Sequence, residues 1–302
     1  MAATLAASSG TYHQSRHPVF GWSMILPSIV GLSLFQFLPL GTAIVDSFRA
    51  FDPFDQSPAG WSGWANYAAI LSDPIFVSAI TNTVVYIALI LFLEIPLALA
   101  LAMLIDRRLP GTTFARSTII GALAASEAVT ASIWNQMYEP STGLFNALLN
   151  AVGSPNQPFI SGQSQALLCI VVMSVWKDVG LPMLIFLAGL QAIPGELRDA
   201  AALDGADGWR TFTRVILPQL RPSLVVAIFM TTISSTRIFT PIIILTQGGP
   251  NWASANLTYY AYAQSFEFTS PGTASAAVVF LLALLVFVTA AQIRLLRSPK
   301  GA

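Results

Sequence analysis

Six apolar stretches divide the chain: residues 20–44, 75–105, 118–137, 165–190, 224–245 and 274–296. A helix needs about 20 mostly apolar residues to cross a hydrocarbon core about 30 Å thick, and each stretch reaches that length. The first holds Pro27, Gly31 and Pro39. It is longer than the apolar core of a signal peptide, roughly 7–15 residues, so it reads as a retained span. The second is long enough to tilt. The pattern predicts an all-α polytopic membrane protein with six transmembrane helices. Residues 1–17 are small and polar and read as a tail; 18–302 read as one six-span transmembrane domain.

Composition agrees. Of 302 residues, 55% are hydrophobic and 9% charged, against about 25% charged in a soluble domain. So few charges cannot cover a water-facing surface of this size. The balance is neutral, 14 basic against 14 acidic residues, which leaves no electrostatic footprint for nucleic acid. Cys169 is the sole cysteine, which removes a disulfide framework and any multi-cysteine metal site. The only histidines, His13 and His17, lie in the tail, so no metal cluster or His-based triad can form in the body. The only lysines are Lys177 and Lys300, and neither closes a G-x-x-x-x-G run. No phosphate-binding loop exists, so any ATP would be hydrolysed on another chain.

Basic residues set the orientation. With the N-terminus in the cytoplasm, the inner segments hold Arg16, Arg107, Arg108, Arg116, Arg198, Arg210, Arg214, Arg221, Arg294, Arg297 and Lys300, eleven in all. The outer loops 45–74, 138–164 and 246–273 hold only Arg49. Both termini are therefore expected in the cytoplasm of a prokaryotic cell, the chain lying in its inner or plasma membrane. Trp61, Trp64 and Tyr67 in the first outer loop, and Tyr259, Tyr260, Tyr262 and Phe266 in the last, read as anchors at the headgroup level. The last four fit a short helix lying on the outer surface.

One inner loop is too long for a simple hairpin connection. Residues 191–222 read QAIPGELRDAAALDGADGWRTFTRVILPQLRP. Pro194 precedes a helix beginning near Glu196, with acids in its first turn. Asp204-Gly205 ends it, glycine supplying the left-handed conformation of a stop. Trp209, Phe212, Val215 and Ile216 recur at helical spacing in a second helix. Ala200, Ala201, Ala202 and Gly205 form a small face. By periodicity alone the loop could sit in a groove on a partner or lie on the inner leaflet with Arg210 and Arg214 near lipid phosphates.

This stretch resembles the EAA loop of permease subunits of binding-protein-dependent ABC importers. The family pattern runs E-A-A, two residues, D-G-A, then a Phe and an I-x-L-P with a further Pro. Here it stands as Asp199-Ala200-Ala201, Asp204-Gly205-Ala206, Phe212, Ile216-Leu217-Pro218 and Pro222, with Asp199 in place of Glu. The resemblance covers nearly the whole chain and narrows to the carbohydrate-uptake branch through Trp134–Met137, Leu187–Pro194 and Thr246-Gln247-Gly248-Gly249-Pro250. The proline usual early in the third span is missing; Gly121-Ala122-Leu123-Ala124-Ala125 stands there. Asp52-Pro53-Phe54, Ser161-Gly162-Gln163 and Ser174-Val175-Trp176-Lys177 resemble the A-type permease subunits of glycerol-3-phosphate importers.

The resemblance implies a type I importer permease fold and a coupling loop that docks on a cytoplasmic ATPase through Glu196, Asp199, Ala200, Ala201, Asp204, Gly205, Ala206 and Phe212. It implies as partners a second homologous permease, two ATPase copies, an extracytoplasmic solute-binding protein and membrane lipid. No cofactor or metal is expected on this chain; ATP and Mg belong to the ATPase. The solute expected is glycerol-3-phosphate or a glycerophosphodiester, with a di- or oligosaccharide as the alternative.

Charges inside spans are the candidates for solute contact. Each costs about 2.5–3.5 kcal/mol at mid-membrane even on the lenient insertion scale, so it should face protein or water. Glu127 and Arg237 either line a translocation cavity or fix helix packing. Thr130, Trp134 and Asn135 follow Glu127 at i+3, i+7 and i+8, giving that face a polar and aromatic character suited to a polyol. Lys177 and Asp178 are adjacent and should point to different faces. Glu94, beside Pro96, is expected to satisfy backbone groups that the proline frees. An ion-coupled secondary transporter would need an internal repeat with matching broken helices, and no second copy of the DGA…LP loop exists. A membrane-embedded enzyme would need clustered nucleophiles or metal ligands, which the spans lack.

Overall fold

The computed structural model describes residues 18–107 and 110–296. The tail 1–17, residues 108–109 and residues 297–302 lie outside the described residues, and with them Arg16, His13, His17, Arg108, Arg297 and Lys300 of the reading above. Two compact units meet in sequence at Val45 and Asp46.

The first unit holds α1 (Pro18–Leu32) and all but the last residue of α2 (Leu38–Asp46), joined by a π-helical turn, Ser33–Phe37. The Leu38 N–H donates to the Ser33 carbonyl, the widened bonding that marks a π-bulge. Pro39, which cannot donate, follows at once. Its large apolar side chains from Trp22 to Val45 are exposed, as a lipid-facing span requires.

In the second unit, β1 (Arg49–Phe51) and β2 (Pro58–Trp61) form an antiparallel ribbon, with Arg49 opposite Trp61 and Ala50 opposite Gly60. This small sheet is an addition to the all-α expectation. Phe48 beside it packs against Trp61, Trp64 and Tyr67, with centroids 5.2–5.7 Å away. After α3 (Ala65–Ser72), the Asp73 carboxylate accepts from the Ile75 N–H at 2.8 Å and caps α4 (Pro74–Asp106), with Pro74 at the first position. The 33 residues of α4 rise about 50 Å and form the central post of the unit. Ala79, Ala98 and Ala102 on it are fully buried; such small residues let neighbouring helices approach closely.

The remaining helices are broken more often than the apolar pattern suggests. They are α5 (Thr112–Ala124), α6 (Glu127–Tyr138), α7 (Leu144–Ala151), α8 (Ala166–Asp178), α9 (Gly180–Gln191), α10 (Gly195–Leu203), α11 (Gly208–Thr211), α12 (Leu217–Gln219), α13 (Arg221–Thr236), α14 (Thr240–Leu245), α15 (Leu257–Phe266) and α16 (Pro271–Leu296). Helices α5 and α6 meet at 101° because Ala125 and Ser126 are extended, with ψ of 144° and 132°. Helices α8 and α9 bend by 44°. The fifth apolar stretch is interrupted at Arg237–Phe239, and the segment Gly208–Gln219 meets α13 at 68°. Among the described residues three helical runs, Trp22–Asp46, Pro74–Asp106 and Pro271–Leu295, are long and apolar enough to cross a membrane alone, and three bent pairs bring the number to six when each is one span.

Two apolar clusters flank α4. One gathers Trp134, Tyr138, Ile170, Met173, Ile242 and Tyr259; the other gathers Ala98, Met183, Phe186, Leu187, Leu220 and Ala227. A third joins Ile70, Phe76, Tyr260, Ala276 and Ala277. Tyr259 and Tyr260 are thus interior residues rather than headgroup anchors, which corrects the surface-helix reading of α15. The Tyr260 hydroxyl donates to Asp73 at 2.7 Å, and the Asn82 amide donates to the carbonyls of Trp252 and Ala255. These bonds fasten the 246–256 loop and α15 to the start of α4. Tyr259 and Tyr260 are met by protein, whereas Phe266 at the end of α15 stays 72% exposed.

Candidate functional site

A cavity of about 400 Å³ opens beside α4 where the breaks in the other helices converge. Glu127 lines it from the first turn of α6, just past the Ala125-Ser126 bend. Lys177 and Asp178 line it from the end of α8, where the chain turns into α9. Arg237 lines it from the C-cap of α13; its own N–H donates to the carbonyls of Ser234 and Ser235. All four intramembrane charges singled out from the chain, other than Glu94, therefore meet at one cavity.

The adjacency argument for Lys177 and Asp178 is corrected. Both line the cavity, and Lys177 Nζ lies 2.9 Å from Asp178 Oδ1. Helical phase separates their Cβ atoms, but a four-carbon lysine stem at a helix end bends back to its neighbour. Glu94 is also corrected: it lines the cavity rather than serving the backbone near Pro96. With Tyr86 and Ile90 it makes an i, i+4, i+8 stripe down one face of α4. That spacing was readable in the chain.

Thr130, Trp134 and Asn135 do not line the cavity. Only the first turn of α6 borders the cavity; beyond it the face continuing from Glu127 packs into the core. Thr130 is buried. The Trp134 ring sits 5.5–5.7 Å from the rings of Tyr138, Phe145 and Trp176. Asn135 donates to the carbonyls of Ile244 and Leu245 at 3.2 and 3.4 Å, occupying free carbonyls at the end of α14. Thr231, Ser234 and Ser235 complete the wall from α13. The Ser235 hydroxyl donates back to the Thr231 carbonyl at 2.7 Å, which satisfies it within its own helix.

The second candidate region is the 191–222 loop. Helix α10 ends in a closed left-handed cap. Gly205 stands at φ +73°, its N–H donates to the Ala202 carbonyl at 3.1 Å, and the Ala206 N–H donates to the Ala201 carbonyl at 2.9 Å. These are the two bonds of a Schellman motif. Asp207 then caps α11, its carboxylate accepting from the Arg210 N–H at 2.7 Å. Glu196, Asp199, Ala200, Ala202, Asp204 and Gly205 are exposed, whereas Ala201 is buried, facing back into the chain. The small face is thus split, three members outward and one inward. Phe212 is half-buried against Trp209. Leu203 is 89% exposed and Trp209 72%, so the loop offers two large apolar side chains beside its acids.

A family described as "Binding-protein-dependent transport system inner membrane component" matches residues 65–298. The chain belongs to this family. It is a permease component, with no ATPase site of its own and no enzymatic role. The permease is 34% identical over 277 residues to the sn-glycerol-3-phosphate transport system permease protein UgpA of Rhizobium meliloti, covering 91% of this chain and 94% of that one. It is 34% identical over 248 residues to the trehalose/maltose transport system permease protein MalF of Thermococcus litoralis, covering 82% and 83%. Its fold matches that of a bacterial ABC transporter that imports the acidic polysaccharide alginate, with a TM-score of 0.81 at 22% identity over 94% of this chain and 96% of the other.

Proposed function

We propose that this permease is the membrane subunit of an ATP-driven importer that carries glycerol-3-phosphate or a glycerophosphodiester. The observation that carries the reading is the likeness to glycerol-3-phosphate permeases over nine-tenths of the chain. The cavity supports it with Arg237, a cation for the phosphate, and with carboxylates suited to hydroxyls. A second reading, a di- or oligosaccharide, is favoured by the trehalose/maltose relative.

In this reading residues 18–302 form one transmembrane domain with both termini in the cytoplasm. The chain pairs with a second, similar permease, two ATPase copies and an extracytoplasmic binding protein. No cofactor resides on it; ATP and Mg stay on the ATPase. Glu196, Asp199, Ala200, Asp204, Gly205 and Ala206, with Ala201 and Phe212 supporting them from behind, meet the ATPase. Closure of the ATPase dimer moves α10 and α11, and the cavity exchanges outward for inward access around the solute. Lys177, Asp178, Glu127 and Arg237 hold the solute, while Thr130, Trp134 and Asn135 keep α6 in place.

The test is uptake of labelled glycerol-3-phosphate, glycerophosphodiester and disaccharide in a strain lacking the gene. Loss of phosphate-bearing solute uptake is expected. Loss of disaccharide uptake alone overturns the phosphate assignment. Reporter fusions after Arg210 and near Ser154 test orientation, with cytoplasm expected at the first and outside at the second.

A further inference from the structure

The charged groups around the cavity are not equally engaged. Lys177 and Asp178 hold each other. Arg237 and Glu127 are at helix breaks. Glu94 lies mid-helix and only 3% exposed, between the buried Ile90 and Ile95, yet its carboxylate borders the cavity. Among the described residues no hydrogen bond or ion pair holds it. An ionised carboxylate offers about four acceptor positions and no donor. Buried without donors it is strongly unfavourable, and the cavity is where donors can reach it. A hydroxyl or an ammonium group can supply them. A phosphate monoester brings acceptors to the same wall.

We propose that Glu94 is a specificity-determining residue of the cavity. It accepts hydrogen bonds from hydroxyl or ammonium groups of the solute, which favours polyols and zwitterionic phosphodiesters, rich in such donors, over phosphate monoesters, whose phosphate brings acceptors to a wall that lacks donors. This rests on the solute reading above and selects within it.

The test uses the assembled complex with its own binding protein in proteoliposomes, comparing wild type with Glu94→Gln, an isosteric change. The solutes are a labelled disaccharide, glycerophosphoethanolamine and glycerol-3-phosphate. Glu94→Gln is expected to lower uptake of the disaccharide or the phosphodiester at least tenfold while uptake of glycerol-3-phosphate falls less or rises. Solute-stimulated ATPase activity falls in step with the uptake of each solute. An equal change for every carried solute, or unchanged uptake, overturns the role of Glu94 alone. Wild-type complex that carries none of the three overturns the solute reading and this inference together. A measurement on unsubstituted protein guards against misassembly of the variant: a hydrophobic carbodiimide should modify Glu94 more slowly when saturating disaccharide or phosphodiester is present. Equal rates with and without them also overturn the proposal.

Discussion

Replacing Gly205 isolates the geometry of the α10 cap from its packing. The residue sits at φ +73°, and a Cβ built there meets nothing within 4 Å. Any cost of a larger residue within the chain is therefore conformational. Holding a residue with a Cβ in the left-handed region costs about 1–2 kcal/mol, with β-branched side chains at the upper end or beyond. At about 1.4 kcal/mol per factor of ten, the capped form should lose roughly 5- to 30-fold of its population relative to uncapped ones. The loss opens the Ala206–Ala201 and Gly205–Ala202 bonds and unseats α11 from the end of α10. Asparagine tolerates the left-handed conformation, so it serves as the control. We expect uptake and ATPase stimulation to fall in the order Gly, Asn, Ala, Val, with Gly205→Val lowest and membrane levels equal. The assay is initial-rate uptake beside ATPase activity of the purified complex. Gly205→Val working at the wild-type rate would refute the claim that the cap transmits coupling. Gly205→Asn failing as badly as Gly205→Val would mean that a bare surface, not the turn, is what matters.

Four further substitutions probe the second unit. Gly248 is at φ +75° and a Cβ there runs into the Tyr259 ring, so Gly248→Ala combines backbone strain with overpacking and should lower the thermal midpoint of the detergent-purified permease; an unchanged midpoint would contradict the packing described. Tyr260→Phe removes one hydrogen bond to the Asp73 carboxylate, and Asp73→Ala removes that bond and the α4 cap. The first should cost about 1.5–3 kcal/mol, the second about 0.5–2 more, and chemical unfolding of the pair tests whether Asp73→Ala is the worse. Four hydrogen bonds from Ser141 and Thr142 converge on the exposed Glu139 carboxylate, chiefly from the Thr142 N–H, and hold its pKa down to about 2 from an ordinary 4.5. Its contribution is full above pH 4.5 and is lost as pH falls toward 2, so the midpoint gap between wild type and Glu139→Gln should close over that window.

The apolar pattern located the helical runs of the first, second, fourth and sixth stretches within a few residues, because the demand for a 30 Å apolar run leaves a signal that nothing local can hide; the fifth, 224–245, straddles the interruption at Arg237–Phe239. It did not reveal the breaks. Ala125-Ser126 carries no proline or glycine, so the 101° turn leaves no mark in composition. Glu127 borders the cavity because it heads α6 at this turn; Thr130, Trp134 and Asn135 follow on the same helix, one to two turns further along, where α6 has left the cavity for the core. The cap at Gly205 was legible because glycine after aspartate at a helix end has few other uses. Glu94 was misjudged because Pro96, two residues on, offered a local explanation that competed with the stripe it shares with Tyr86 and Ile90. Tyr260 of α15 was misjudged because the preference of tyrosine for headgroups is a statement about lipid contact, and the fold supplies Phe76 and Asp73 instead.

Charge placement at joints has a mechanical consequence. A charge carried mid-helix shifts only when the whole rod shifts. Glu127, Lys177, Asp178 and Arg237 instead ride on elbows, so a few degrees of flexing at any elbow alters their mutual spacing. Glu94, fixed on the unbroken rod of α4, is the stationary reference against which the others move. The local electric field thus depends on the bend angles. Opening or closing the permease retunes what the chamber attracts, with no change in which residues surround it.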